Sequence, residues 1–247
     1  MALQTEMQNQ GNFLFRNRSY LPLIFLATGL GVYLNGEYHE IEGPENLISK
    51  NFEFICLVVC MLGLFIRIKT VGHTPRNTSG RNTKIGQEAK ELNTSGMYSL
   101  ARHPLYVGNF FMWLGIAMLA ENFWFTMAFI LLYIVYYERI MYAEEQFLIE
   151  KFGNQYTDWS KATPAFIPNF KNYKKPKYSF NLIKVLKKEK NGFVAIFALF
   201  WLFEWASDVL ENGITYFEFS GWFYAAVAAG FVYLILKILK KRKIFNK

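Results

Sequence analysis

Two stretches of this chain gather residue types that do chemistry. Residues 92–108 read LNTSGMYSLARHPLYVG. Pro104 suits the first turn of a helix, where a missing N–H costs nothing. Arg102 and His103 then fall at a helix entrance, whose free N–H groups attract anions. Gly108, one turn further on, permits close approach of backbone or ligand. Residues 138–168 read ERIMYAEEQFLIEKFGNQYTDWSKATPAFIP and place Glu144 and Glu145 at the end of an apolar run. Carboxylates there oppose the helix macrodipole and want a cationic partner. Arg139 is poorly spaced to serve Glu144. An anion-favouring corner beside a cation-favouring one would fit an amino-acid zwitterion. A helix end that merely faces lipid headgroups accounts for Arg102 and His103 equally well.

Long apolar segments must position these residues. Of 247 residues, 53% are hydrophobic, 19% aromatic and 19% charged, against about 25% charged in a soluble domain. A spanning helix needs about 20 mostly apolar residues, fewer where flanking side chains snorkel. Six segments come close: 20–36, 52–68, 104–120, 122–143, 193–210 and 219–239. The third and fourth are separated only by Glu121, which forces an antiparallel helical hairpin and sets the Arg102–His103 entrance beside the Glu144–Glu145 exit. If the chain starts inside and crosses six times, 26 of its 27 Lys and Arg fall on the inner side, and only Lys50 falls outside. Orientation follows that bias, so both termini are expected to be cytoplasmic. The outer segments are short and acidic, with Glu37, Glu40, Glu42 and Glu45 in one and Asp208, Glu211 and Glu218 in the other.

The expected fold is therefore all-α, a polytopic membrane helical bundle of about six transmembrane helices with its functional pocket on the cytosolic side. The net charge of +8 is explained by topology, with no aromatic-spaced basic surface or zinc-finger spacing to suggest nucleic acid. Cys56 and Cys60 share one helix face inside an apolar run and are expected to pack; no metal site is expected. No cleavable signal is evident, because about twenty mostly polar residues precede the first apolar run. Residues 171–190 are rich in lysine. Phe180, Ile183 and Leu186 can share a helix face there, with Lys184, Lys187 and Lys188 towards solvent, as in a helix lying on anionic headgroups; a solvated linker is the alternative.

The two motifs resemble the isoprenylcysteine carboxyl methyltransferase and phospholipid methyltransferase superfamily. The shared pattern is roughly G-x-Y-x-x-x-R-H-P-x-Y-x-G, then a helical hairpin, then E-E-x-x-L-x-x-x-F-G-x-x-Y, ending near F-I-P, over about residues 92–170. The resemblance implies S-adenosylmethionine bound at the cytosolic face. It assigns Tyr98, His103, Pro104, Tyr106, Gly108, Glu144, Glu145 and Tyr156 to the cofactor, with the diacidic pair meeting its ammonium group, and Pro168 to closing the pocket. Arg102 is expected to orient the acceptor as the catalytic residue. The organisation expected is 1–91, an N-terminal two-span region with a cytosolic loop; 92–170, the methyltransferase core; and 171–247, the lysine-rich segment with two C-terminal spans beyond the family core. Arg81 and Asn82, in the polar loop before the first motif, would meet an anionic group of the substrate or form plain surface.

The expected activity is methyl transfer to a lipid or lipidated acceptor at an anionic oxygen, such as a lipid phosphate or carboxylate, which needs no general base. Phospholipid N-methylation is an alternative. So is NADPH-dependent reduction, since membrane steroid reductases share the hairpin and an R-H-x-x-Y-x-G motif, though with an Asp-Arg-Cys-type second motif where this chain has Glu144-Glu145. A transporter is the non-enzymatic alternative, because Glu204, within the fifth span, is followed by Asp208 and Glu211 and intramembrane carboxylates often mark ion pathways. Lys-, Asn- and Phe-rich usage suits a bacterial inner membrane.

Overall fold

The computed structural model describes residues 2–40, 47–75 and 89–242, and among these all regular structure is helical. Arg81, Asn82, Glu42 and Glu45 lie outside the described residues. In chain order the helices are α1 (Leu3–Asn17), α2 (Leu21–Glu40), α3 (Leu47–Gly72), α4 (Met97–Leu100), α5 (Pro104–Met118), α6 (Phe123–Phe152), α7 (Asn154–Ala162), α8 (Leu182–Asn212) and α9 (Gly221–Lys241). Each of the six apolar segments falls on one of them to within two residues at either end. By length and composition four helices can cross a membrane, over Phe52–Gly72, Phe123–Phe152, Leu182–Asn212 and Gly221–Lys241, and the bent pair α1–α2 would make a fifth. The span count is thus four or five where sequence suggested six. The reason is local: α2 ends in polar turns with Asn35, Glu37 and His39, and α5 has only 15 residues between Pro104 and its turn.

The hairpin is as tight as its sequence demands. α5 stops at Met118 and Asn122 caps α6, its side chain accepting from the Phe125 amide at 2.9 Å; between them Glu121 takes a positive φ of 49°. α5 sits between two cores. On one side Cys56, Cys60 and Leu64 of α3 meet Ile116 of α5, Leu119 just past its end, and Ile196, Phe200 and Phe203 of α8. On the other, Phe15 of α1 and Ala117 of α5 join Phe129, Tyr133, Tyr137 and Ile140 of α6. The apolar residues left exposed, such as Val58 and Phe65 on α3, Leu131 and Val135 on α6, and Phe231 and Ile235 on α9, suit lipid.

Lipid tails are as apolar as leucine, so helices in a membrane associate through close packing of small residues. Here that seam joins α3 to α5. A methyl group on Gly63 would collide with the Gly108 carbonyl oxygen and the Met112 amide, and one on Gly115 would collide with the Cys60 sulfur and the Cys56 carbonyl. Both cysteines are buried and free, filling the seam as expected.

The end of the bundle bearing the α5–α6 turn is acidic and tied by hydrogen bonds. Glu204 bonds to Ser220, whose oxygen caps α9 at the Phe223 amide (3.2 Å). Trp222 Nε1 donates to Glu53 at 2.8 Å, and Ser207 donates to Glu37 at 3.0 Å. Glu204 therefore supports a helix cap here, and among the described residues no acidic, His or Cys cluster is arranged to hold a metal ion.

The lysine-rich segment differs from both expectations for it. Residues 173–181 are not helical, and from Leu182 the chain forms the first turns of α8, continuous with the fifth apolar segment. Lys184 turns inward, donating to Thr74 Oγ1 at 2.7 Å and to the Pro75 carbonyl at 3.0 Å. A cation is favoured there, just beyond the C-terminus of α3. Phe180 covers Gly72 and lies 5.3 Å from the His73 ring.

Gly63→Val is expected to destabilise the fold by at least about 1–3 kcal/mol, the usual cost of overpacking, because the atoms it meets are backbone. A thermal midpoint in detergent equal to wild type would refute the seam.

Candidate functional site

At the other end of the bundle, the start of α5 and the last turns of α6 lie side by side. The route into α5 is held from outside by the segment after α7, which acts as a strap. Arg102 N donates to the Pro164 carbonyl (2.8 Å), His103 N to the Ala165 carbonyl (3.1 Å), and Asn169 N to the Leu100 carbonyl (2.9 Å). Gly96 N donates to the Lys174 carbonyl (2.9 Å), and Lys174 N to Ser99 Oγ (2.9 Å). Gly96 has φ +61° with the strap's Pro176 close by, a backbone position that glycine reaches at no steric cost. Pro168 belongs to this strap and is not on the cavity wall.

The two glutamates part company. Glu145 is gripped by the Arg102 guanidinium in a two-point fork, Nε to Oε1 at 2.8 Å and Nη2 to Oε2 at 3.0 Å. His103 Nε2 lies 2.9 Å from the same Oε1; a carboxylate only accepts, so this nitrogen carries the proton. Arg102 Nη1 donates to the Ser160 and Thr163 carbonyls at 3.0 and 2.7 Å. Glu144 instead accepts one hydrogen bond, from Tyr106 Oη at 2.8 Å, with His103 Nδ1 3.7 Å away. Its side chain is 28% exposed against 19% for Glu145. Only Glu144 of the two faces the adjoining cavity.

That cavity measures about 260 Å³, and Tyr98, Arg102, His103, Tyr106 and Glu144 are on its wall. Pro104, Gly108, Glu145 and Tyr156 are not. Pro104 is buried at the first turn of α5. Gly108 faces α3, where a methyl group would strike Arg67 Cγ at 2.5 Å and the Gly63 carbonyl oxygen at 2.9 Å. Tyr156, 1% exposed, lies under the Arg102–Glu145 pair. Burial pushes both the Tyr98 and Tyr156 hydroxyls well above their ordinary range, with the charge of Glu144 adding to the first and that of Glu145 to the second. Both remain neutral.

Several wall residues were not legible as site residues. Arg67 looks like a snorkelling end of a span, and Glu189 is one acid among lysines, yet they form a buried pair across the cavity wall. Asn109, Tyr137 and Trp159 also line it. The Trp159 indole N–H is buried without a hydrogen-bond partner, an orphan donor on the wall that a polar ligand would satisfy. A carboxylate, a phenol, an orphan N–H and aromatic faces in one enclosed space are a donor and acceptor set that fits S-adenosylmethionine.

The phospholipid methyltransferase family model matches residues 52–155, from α3 to the first turn of α7. Protein-S-isoprenylcysteine O-methyltransferase B of Arabidopsis thaliana is 33% identical, over 66% of this chain and 98% of that protein. The Schizosaccharomyces pombe protein-S-isoprenylcysteine O-methyltransferase is 32% identical over 50% of this chain and 52% of its own. The cobalt-zinc-cadmium resistance protein CzcN of Cupriavidus metallidurans is 35% identical over 36% of this chain and 41% of that one. The chain thus spans about half the length of the latter two. No solved structure matches it. The chain belongs to the isoprenylcysteine carboxyl methyltransferase and phospholipid methyltransferase superfamily.

Arg102→Lys keeps the charge but loses the fork and the two carbonyl bonds. Breaking a partly buried pair in this way is expected to cost about 2–4 kcal/mol. It should appear as a lowered thermal midpoint and faster proteolysis of the strap; a midpoint within error of wild type would show that the pair does not hold the site.

Proposed function

We propose that this protein is an integral membrane methyltransferase that takes its methyl group from S-adenosylmethionine and passes it to an anionic oxygen of a lipid or lipidated acceptor at the cytoplasmic face. The observation that carries the reading is the division of the diacidic pair. Glu145 is spent on Arg102 and His103, while Glu144 keeps one oxygen unbonded at the cavity, where a primary ammonium group would find a charge-assisted partner.

When bound, S-adenosylmethionine supplies a methyl group already activated by a sulfonium. The chain's task is alignment and exclusion of water, and positioning of this kind is worth about 7–11 kcal/mol. Glu144 holds the ammonium end, with Tyr106 fixing its carboxylate. Tyr98 and Trp159 offer neutral N–H or O–H contacts on the wall. Arg102 acts as a positioning residue, because the contacts described above engage four of its five N–H donors; this replaces the direct role expected for it. Glu145 holds the imidazole of His103 through Nε2, and an acceptor that is already an anionic oxygen needs no proton removed from it.

A lipid acceptor is supported by an apolar crevice of about 630 Å³ on the flank of α6, lined by Leu14, Ile24, Phe25, Leu132 and Val135. It would receive hydrocarbon from the bilayer. The basic residues at this end of the bundle, with Arg18, Arg67 and Lys188 on the cavity wall, support a cytoplasmic location for it by the positive-inside bias. The compositional leaning towards lysine, asparagine and phenylalanine supports a bacterial inner membrane.

Calorimetry on the purified full chain tests the cofactor. S-adenosylmethionine should bind and NADPH should not, and Glu144→Gln should weaken binding about 10–100-fold through loss of a charge-assisted contact. Binding of NADPH alone would overturn the reading. Mass spectrometry of membrane lipids from cells with and without the protein should then reveal an acceptor heavier by one methylene.

A further inference from the structure

Arg67 lies in α3, towards the site end of a membrane-crossing helix. An arginine within a span is costly and marks function by default, with its partner to be named. The partner is Glu189 of α8, 4% exposed, which accepts from Nε at 2.7 Å and from Nη2 at 2.9 Å. Asn109 of α5 accepts from Nη1 at 2.5 Å. Glu189 lies outside residues 52–155, where the family match ends.

A guanidinium has five N–H donors. Three of those on Arg67 are engaged by Glu189 and Asn109, which leaves one on each terminal nitrogen. The corresponding inventory for Arg102 leaves a single donor, since both N–H groups of its Nη1 reach backbone carbonyls. Two donors on adjacent nitrogens are what a carboxylate or phosphate needs for two-point recognition, and Arg67 is on the cavity wall with a side chain 21% exposed. Gly108 makes room for its stem, as the clash with Arg67 Cγ shows. Tyr98, Glu144 and Arg67 are on the wall of the same cavity, so acidic and basic groups share it.

We infer that Arg67, positioned by Glu189 and Asn109, is the residue that receives an oxyanion in this cavity. The inference rests on reading the cavity as the methyl-transfer site. The oxyanion is either the carboxylate of the cofactor's amino-acid end or an acidic group of the acceptor. The shared chemistry is a two-point oxyanion contact, and the two sources are separable.

The test compares ligand pairs that differ only in the anion: S-adenosylmethionine against its decarboxylated analogue, and lysophosphatidate against neutral monoacylglycerol, each titrated into the full chain in nanodiscs of neutral lipid. Wild type should favour the anionic member of one pair by about 10–100-fold. The first pair identifies the cofactor's carboxylate, the second the acceptor's acidic group. Removing Arg67 alone would strand the buried Glu189, so the decisive variant is the double Arg67→Met/Glu189→Met, which should keep the fold and erase the preference. Arg67→Lys, which keeps charge and loses the fork, gives the same reading should the double variant not fold. Wild type with no preference in either pair, or a folded variant that retains it, overturns the inference. Failure to bind either form of the cofactor would instead sink the methyl-transfer reading, and the lysophosphatidate arm would still decide the role of Arg67.

Discussion

The Arg102–Glu145 fork is the contact on which the site depends. It ties the entrance of α5 to the exit of α6, and through Ser160 and Thr163 it also fastens the end of α7 and the start of the strap. Four pieces of chain that a short turn would leave free to splay are thereby fixed around one planar cation. A guanidinium suits the task because its donors lie in a rigid plane and meet a carboxylate at two points while reaching carbonyls with the remainder. Pairing also removes the difficulty that Glu145 would otherwise create at a helix end whose carbonyls already carry negative charge. With that carboxylate paired, an ammonium group entering the cavity would meet one carboxylate, that of Glu144, instead of two.

A second fork stands on another part of the wall. Arg67 and Glu189 join α3 to α8 with the same two-point geometry, but with more of the arginine's hydrogen-bonding capacity left over. The difference comes from what surrounds each cation. Arg102 sits where a strap and a helix end supply backbone carbonyls, and these consume its donors. Arg67 sits between packed helices whose carbonyls are occupied within their own turns, so side chains alone can reach it. One fork is closed and structural, and the other stays available at the cavity.

Much of this was legible in the sequence. The hairpin followed from having one residue between two apolar runs, and it placed Arg102 and His103 next to Glu144 and Glu145 because the geometry of so short a turn allows nothing else. Pro104 at the first turn of α5 was equally local. Two kinds of information were missing. Residue type and spacing do not reveal which of two adjacent glutamates points inward: consecutive helical positions differ by about 100°, and the choice depends on the strap. Nor do they reveal contacts between distant segments. Arg67 and Glu189 are 122 positions apart, and each has an ordinary explanation where it stands, as a snorkelling span end and as an acid within a basic run. The span count by helix length and composition falls short of six for a related reason: α5 has only 15 residues, and it is held by neighbours on both sides. Gly108 was singled out correctly for close approach, but what approaches is the stem of Arg67.

The length of two helices explains where the site stands. α6 has 30 residues and α8 has 31, about 45 Å each at roughly 1.5 Å per residue, whereas the hydrocarbon core is only about 30 Å thick. Each therefore overhangs the bilayer by several turns. α6 overhangs at its C-terminal end, carrying Glu144 and Glu145, and α8 at its N-terminal end, carrying Lys188 and Glu189; both contribute to the same cavity. Charged groups that would be prohibitively costly at the membrane centre are thus carried on helices whose lower halves are fixed within it. A soluble protein would need a folded domain to hold such residues rigidly. Here the membrane-spanning turns supply that rigidity, and the overhanging turns are tied by a strap and two arginine–glutamate forks around one cavity.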